Sequence, residues 1–375
     1  MRLATLLCSG VLAAACTVFT HPSMSAELSP KAPTAERDGS HDFDFNFGSW
    51  KTHIKRRVHP LADSNEFIEL NGTVDIRKVW GGRALLEEIE TDGPKGHWEG
   101  LSLFLYNPNS HQWSQTFVNS QAGVFGGGLI GSFKDGRGEL FQADTLDGRS
   151  ILVRGVWSNI APTSHRYEES YSQDGGKTWE VQLTADKTKI DPTDMPVVKD
   201  SERSHEYDFD LGTWQTHTSR LLHPLSGRQE WADIDGATVV TPVWGGRANL
   251  AEYKASGPSG TIELLALRIY NPKTREWSIN FATPGRGELT STPGIGRFKD
   301  GRVDYYDQEK YDGKTILLRF SMWGITADAA QSEQAFSVDG GRTWEVNWVN
   351  KYTRSKTQSP AQVSNAERSM RPNSG

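Results

Sequence analysis

The residues best suited to chemistry occur twice in this chain, at matching places. Glu99 shares strand parity with Leu101, Leu103 and Leu105, and Glu263 with Leu265, Leu267 and Ile269. A carboxyl on an apolar face has the form of a general acid or base with raised pKa, so Glu99 and Glu263 are the candidate catalytic residues. Glu88 and Glu252, which share parity with Leu86 and Leu250, are similar candidates for holding a ligand. Arg56 and Arg220 share parity with Trp50 and Trp214. If those indoles close one end of a barrel, both arginines point into it, where an arginine needs a carboxylate, water or an anionic group. Glu168 with Glu333, and Arg154 with Arg319, form a further retained set. The histidines that recur (His41/His205, His53/His217, His59/His223) lie at entries, in turns or on the face opposite the indoles. No His-x-His or His-Glu-x-x-His spacing occurs, and no Gly-x-Ser-x-Gly elbow or phosphate loop, so no metal or cofactor is assigned.

These residues must be positioned by a duplicated unit. His41–Trp50 matches His205–Trp214 at an offset of 164 residues. The same offset relates Val79-Trp80-Gly81-Gly82-Arg83-Ala84 to Val243-Trp244-Gly245-Gly246-Arg247-Ala248, and Tyr106-Asn107-Pro108 to Tyr270-Asn271-Pro272. After one inserted residue, Phe133–Arg137 matches Phe298–Arg302 and Ser172–Val181 matches Ser337–Val346. So long a period marks a duplicated domain, since repeat units of solenoids and propellers are far shorter. The expected domains are 41–185 and 205–354, joined by a linker at 186–204, with a short segment at 27–40 and a disordered tail at 355–375. Short runs rich in Val, Ile, Leu, Trp and Tyr alternate with turn signals such as Asp135-Gly136 and Asp147-Gly148, which predicts antiparallel strands throughout. The glycine-rich stretch Gly123–Gly131 and its counterpart Pro284–Gly296 read as connections beside a barrel opening. Trp98, Trp157, Trp231, Trp323 and Trp348 have no counterpart in the other half and are candidates to line a mouth or groove. The copies have also diverged: Phe67 becomes Trp231 and Glu87 becomes Ala251.

Gly48-x-Trp50, just before the first strand, resembles the lipocalin/calycin signature. Each half as a whole resembles an uncharacterised bacterial family of lipocalin-like domains, with motifs D-F-D-F-x-x-G-x-W, W-x-G-G, L-Y-N-P-x-x-x-x-W and D-G-G-x-T-W-E. The second copy departs from the first motif, with Glu206-Tyr207 in place of Asp-Phe. The resemblance implies an all-β fold of two tandem antiparallel calycin/lipocalin-like barrels, each stoppered by Trp50 or Trp214, and carries no settled activity. Ser172-x-Asp174-x-Gly176-x-Thr178-Trp179 and its copy from Ser337 resemble the Asp-box of sialidases and related propellers. One occurrence per half marks a hairpin brace rather than a propeller blade.

Composition excludes several classes. With 10% aromatic residues the chain is not of disordered type, and a net charge of −6 offers no basic surface to nucleic acid or anionic membrane. Residues 1–26 read as an export signal, with a short apolar run after Arg2 and a small-residue site at Ser23–Ala26. That run is too short to span a membrane, and no later stretch predicts a transmembrane segment. Both cysteines lie here, and Leu12–Cys16 loosely resembles a lipoprotein box, so cleavage near Ala26 and lipid anchoring at Cys16 stand as alternatives. The expected protein is exported and periplasmic, with two barrels packed on each other. Three functions fit: binding a small apolar or amphipathic molecule inside one or both barrels; a lyase, isomerase or hydrolase using an interior Glu/Arg pair on a hydrophobic or sugar substrate; and a non-catalytic scaffold.

Overall fold

The computed structural model describes residues 38–120, 122–196, 204–257 and 260–356. The expected export signal with Cys8 and Cys16, and the tail beyond residue 356, lie outside the described residues.

The chain forms two closed antiparallel barrels of ten strands each. The first consists of β1 (Gly48–Arg57), β2 (Phe67–Val79), β3 (Ala84–Gly93), β4 (Gly96–Asn107), β5 (Gln112–Asn119), β6 (Gly128–Lys134), β7 (Arg137–Leu146), β8 (Arg149–Ala161), β9 (Ser164–Ser172) and β10 (Glu180–Ile190). Each strand pairs with its sequence neighbour, and β1 closes the ring against β10, with Trp50 opposite Lys189 and Thr52 opposite Lys187. The second barrel repeats this order from β11 (Gly212–Leu221) to β20 (Glu345–Arg354). Residues 186–190, expected in the linker, are the last five of β10: their alternation continues the strand, and a full-length β10 is what closes the ring on β1.

Turn chemistry sets the register. Asp135 and Gly136 both have positive φ (52° and 75°), as do Asp147 and Gly148 (49° and 76°), which is the twist that two-residue hairpins require. At the Asp-box, Asp174 accepts from the backbone N–H of Lys177 and Thr178 (3.0 and 2.9 Å) and from the Thr178 hydroxyl, while Trp179 Nε1 donates to the Gly176 carbonyl. Asp339 repeats the brace, and these bonds hold its carboxyl down at about 2.

Trp50 and Trp214 are fully buried and stopper one end of each barrel, donating from Nε1 to the carbonyls of Asn46 (2.9 Å) and Asp210 (2.7 Å). The cation stacked on each indole comes from the last strand: Lys189 lies over Trp50, and Arg354 over Trp214 at 4.0 Å.

The two barrels share one apolar core. Leu86, Leu101, Leu103 and Leu105 of β3 and β4 pack with Leu250, Leu265, Leu267 and Ile269 of the second barrel, together with Trp80, Trp244, Phe125 and Leu289. These leucines are the parity set that the sequence groups with Glu99 and Glu263. They face outward, toward the partner barrel, and not into the lumen.

Candidate ligand cavity

The inter-barrel face collects four of the retained acids, while Glu333 pairs with Arg319 within the second barrel and Glu168 accepts from Ser170 in the first. Glu99 binds Arg247 of the other barrel, and Glu263 binds Arg83 at 2.5 Å in the reciprocal place. The Glu88 carboxylate accepts from the backbone N–H of Trp244 (2.5 Å), and Glu252 from that of Trp80 (3.0 Å). Both tryptophans have positive φ, 56° and 57°, within their Trp-Gly-Gly turns, so the partner's carboxylate caps a backbone that cannot bond locally. Burial pushes the Glu88 carboxyl up, and Arg83 holds Glu263 down. None of these four acids lines a lumen, which corrects the expectation of an interior acid. The reason is that the most apolar faces of β3 and β4 are needed where the barrels meet.

The glycine-rich stretches are latches across the same face. Ser278 Oγ donates to the Gly123 carbonyl (3.0 Å), and Ser114 Oγ donates to that of Gly287 (2.6 Å). A Cβ on Gly123 would fall 2.6 Å from Asn271, and one on Gly287 would fall 2.4 Å from Asn107. Both glycines also have positive φ, so two separate constraints select glycine there. Gly126 and Gly127 do border the cavity of the first barrel, so this stretch reaches an opening as well as the interface.

That cavity, about 430 Å³, is where chemistry can happen. Ile54, Val74, Ile89, Leu129 and Val153 form an apolar wall, and Trp98, Phe117, Trp157 and Tyr167 supply aromatic faces. Trp98 stacks on Phe117 with ring centroids 6.0 Å apart and planes 21° from parallel. Across the lumen runs an ion pair that the residues shared by the two halves did not reveal. Lys187 Nζ lies 2.5 Å from Glu87 Oε2, and both side chains are only 5% exposed. Ser102 Oγ donates to the other Glu87 oxygen (3.2 Å), and Gln115 Nε2 donates to Ser102 Oγ (3.4 Å). This chain ties β10 to β3, β4 and β5. A buried ion pair of this kind is held by geometry, because desolvation offsets most of its attraction.

Arg56 lines the cavity but is itself exposed, which places it toward the opening. It faces Glu169, whose carboxyl is pushed up by burial and pulled back by Tyr171, Arg56 and Tyr167. Tyr171 is in turn pushed up by burial and by Glu169. Arg220, its counterpart, is exposed at the end of β11, in register with Trp348.

The second barrel differs at equivalent places. Ala251, Ala266, Ile279 and Tyr352 stand where the first has Glu87, Ser102, Gln115 and Lys187, so every member of the polar chain is replaced. Tyr253 replaces Ile89, and its hydroxyl bonds Thr218 (2.7 Å), which bonds Asn350 (2.7 Å). Trp348 replaces Leu183 and packs edge-on to Tyr253, while Phe320 stands where the first barrel has Gly155. Among the tryptophans lacking a counterpart, Trp98 and Trp157 line the cavity, Trp348 packs within the second barrel, Trp231 is exposed, and Trp323 lies under Arg302.

Sequence reasoning missed Glu87, Lys187, Gln115 and Gln182. The signal that finds them is divergence between the copies, which Glu87 and Ala251 already display. Gln182 also sits at a β-bulge, where β10 shifts register against β9 between Val181 and Leu183; a bulge of this kind re-aims side chains.

The fold and the cavity define an all-β protein of two closed up-and-down barrels, the first enclosing a cavity. No family model matches the chain, and no curated protein matches it. Among solved structures it is similar to the S-type phycobiliprotein lyase CPES from Guillardia theta, at 13% identity and TM-score 0.30, over 42% of this chain and 96% of that one. A protein of unknown function from the DUF3598 family of Nostoc punctiforme is similar at 12% identity and TM-score 0.23, over 84% of this chain and 99% of that one. A double mutant of transferrin binding protein B from Haemophilus parasuis is similar at 8% identity and TM-score 0.17, over 81% and 75%. At such identities and scores these likenesses carry no statement about activity.

Proposed function

We propose that this is an exported binding protein whose first barrel encloses a small amphipathic molecule, while the second barrel serves as its structural partner. The observation that carries the reading is the asymmetry between the copies. One lumen keeps about 430 Å³ of space bounded by aromatic walls and a buried polar chain, and the other is occupied by its own side chains. That volume lies in the range of small-molecule sites, and a mostly apolar wall with a few placed polar groups is their usual composition. Export is supported by the character of residues 1–26 alone. The catalytic alternative loses the residues it rested on, because Glu99 and Glu263 hold the two barrels together.

Titration with the fluorescent dye N-phenyl-1-naphthylamine tests the reading. Saturable binding of one dye per chain is expected, with quenching of Trp98 and Trp157 emission. The double variant Ile89→Tyr/Leu183→Trp installs the second barrel's residues and should abolish that binding. Absence of saturable binding, or binding unchanged in the variant, would overturn the proposal. Native mass spectrometry of protein purified from its own host would then identify a retained molecule by its mass.

A further inference from the structure

Three residues lining the cavity carry side-chain oxygens that are buried and lack a hydrogen-bond partner: Thr52 Oγ1, Gln115 Oε1 and Gln182 Oε1. The side chains are 2%, 7% and 3% exposed. Leaving such a group unsatisfied is costly and rare in folded proteins, so three in one lumen call for an explanation.

The second barrel supplies the contrast, position by position. Thr216, the counterpart of Thr52, bonds Thr238 at 2.8 Å, whereas the first barrel has Val74 in place of Thr238. Asn347, the counterpart of Gln182, accepts from Gln334 Nε2 at 3.0 Å, and the first barrel has Glu169 in place of that donor. Gln115 is replaced by Ile279, which needs no partner. At these three positions the second barrel either pairs the acceptor or replaces it with an apolar side chain, leaving only a donor, Asn347 Nδ2, without a partner, whereas the first barrel leaves three acceptors open.

The orientation of both amides follows from their partners. Gln182 Nε2 donates to the carboxylate and the carbonyl of Glu180 (2.7 and 3.2 Å), neither of which can donate in return. Gln115 Nε2 faces Ser102 Oγ, whose own proton goes to Glu87. What each glutamine has left over is an acceptor. Every cation on the wall has an acid near it: Lys187 meets Glu87, Arg56 attracts Glu169, and Arg57 lies 3.6 Å from Glu180, while the acid Asp144 accepts from the neutral amide of Gln142. An anionic ligand would find no unopposed cation there.

We infer that the guest of the first barrel is a neutral, flat molecule bearing O–H or N–H donors, which it gives to Gln115, Gln182 and Thr52 while its apolar body lies against Trp98, Phe117 and Trp157. This deepens the binding reading above and rests on it. The class is defined by what the wall lacks: donors, and not charge.

Three matched probes separate the requirements on the full-length protein: 2-naphthol, which can donate; 2-methoxynaphthalene, which cannot; and 2-naphthoate, which is anionic. Calorimetric titration should give a dissociation constant for 2-naphthol at least about tenfold lower than for either of the others, because a site built around a donor rejects the analogue lacking it. Gln115→Ile combined with Thr52→Val should bring 2-naphthol and 2-methoxynaphthalene to within about twofold. Circular dichroism and retained binding of 2-methoxynaphthalene, which has no proton to give, would show that the variant is folded and still hollow. Equal affinities for naphthol and its methyl ether in the unaltered protein, tightest binding of the naphthoate, or no binding of any naphthalene by a protein that binds the dye would each overturn the inference while leaving the cavity reading in place. Failure of the dye together with all three probes would overturn both.

Discussion

At the scale of single residues, the Glu87–Lys187 pair governs the lumen. Removing one partner strands a buried charge, so Lys187→Met should cost about 3–5 kcal/mol of stability, measured by denaturant unfolding. Replacing both by the second barrel's residues, Glu87→Ala with Lys187→Tyr, should recover most of that loss, since Ala251 and Tyr352 occupy the same places in a folded barrel. A double variant as unstable as the single one would contradict this account. His165 makes a pH-dependent contribution of known sign. It packs edge-on against Trp50 (4.5 Å) and Phe45 (5.1 Å), and its ring nitrogens have no partner. Burial, with Lys187 and Lys189 nearby, holds its pKa down at about 2. The unfolded chain takes up a proton near pH 6.5 and the folded one does not, so stability present above that pH is lost as the pH falls below it. At pH 5 the loss attributable to this group should be about 2 kcal/mol, and His165→Phe should remove that part of the acid dependence.

At the scale of elements, the outcome turns on which face of each strand is apolar. β3 and β4 direct leucines outward and Glu87, Ser102 and Phe104 inward, an inversion of the usual rule that the lumen of a small barrel is the apolar side. Parity correctly grouped Glu99 with the leucines, and that grouping was legible in the sequence. The side on which the group lies was not, because alternation has two phases and only a neighbour selects between them. The bulge at Gln182 adds a local shift that alternation alone does not show. The latches are a second effect at this scale. Gly287→Ala introduces a Cβ against Asn107 at a residue of positive φ, and should lower the melting temperature by several degrees, as expected for a loss of about 1–3 kcal/mol. Gly136→Ala, where nothing lies within 4 Å, carries only the backbone cost and should shift it less.

At the scale of the whole molecule, the interface is reciprocal but not symmetric in burial. Arg247 and Glu99 are 9% and 7% exposed, whereas Arg83 is 43% exposed against Glu263. Arg247→Leu leaves the buried Glu99 carboxylate with only the half-exposed His97, 3.5 Å away, and should cost about 3 kcal/mol. Arg83→Leu should cost about 1 kcal/mol or less, because water and Lys254 still reach Glu263. Equal losses in unfolding experiments would contradict this division. The reciprocity also explains why residues retained in both halves led to the interface. A face on which each copy docks against the other needs its residues in both, while a cavity needs them in only one.

The sequence by itself determined the duplication, the β hairpins with their Asp-Gly turns, the indole at each barrel end and the Asp-box braces, because these depend on short-range backbone geometry written in adjacent residues. Tertiary structure alone decided that Glu88, Glu99, Glu252 and Glu263 join two barrels, that Lys187 meets Glu87 from a hundred residues away, and that the first lumen keeps a cavity of about 430 Å³. Those outcomes depend on which surface each strand face meets once the sheets have closed, and on the summed volume of side chains from ten strands, neither of which is a property of any local stretch of chain.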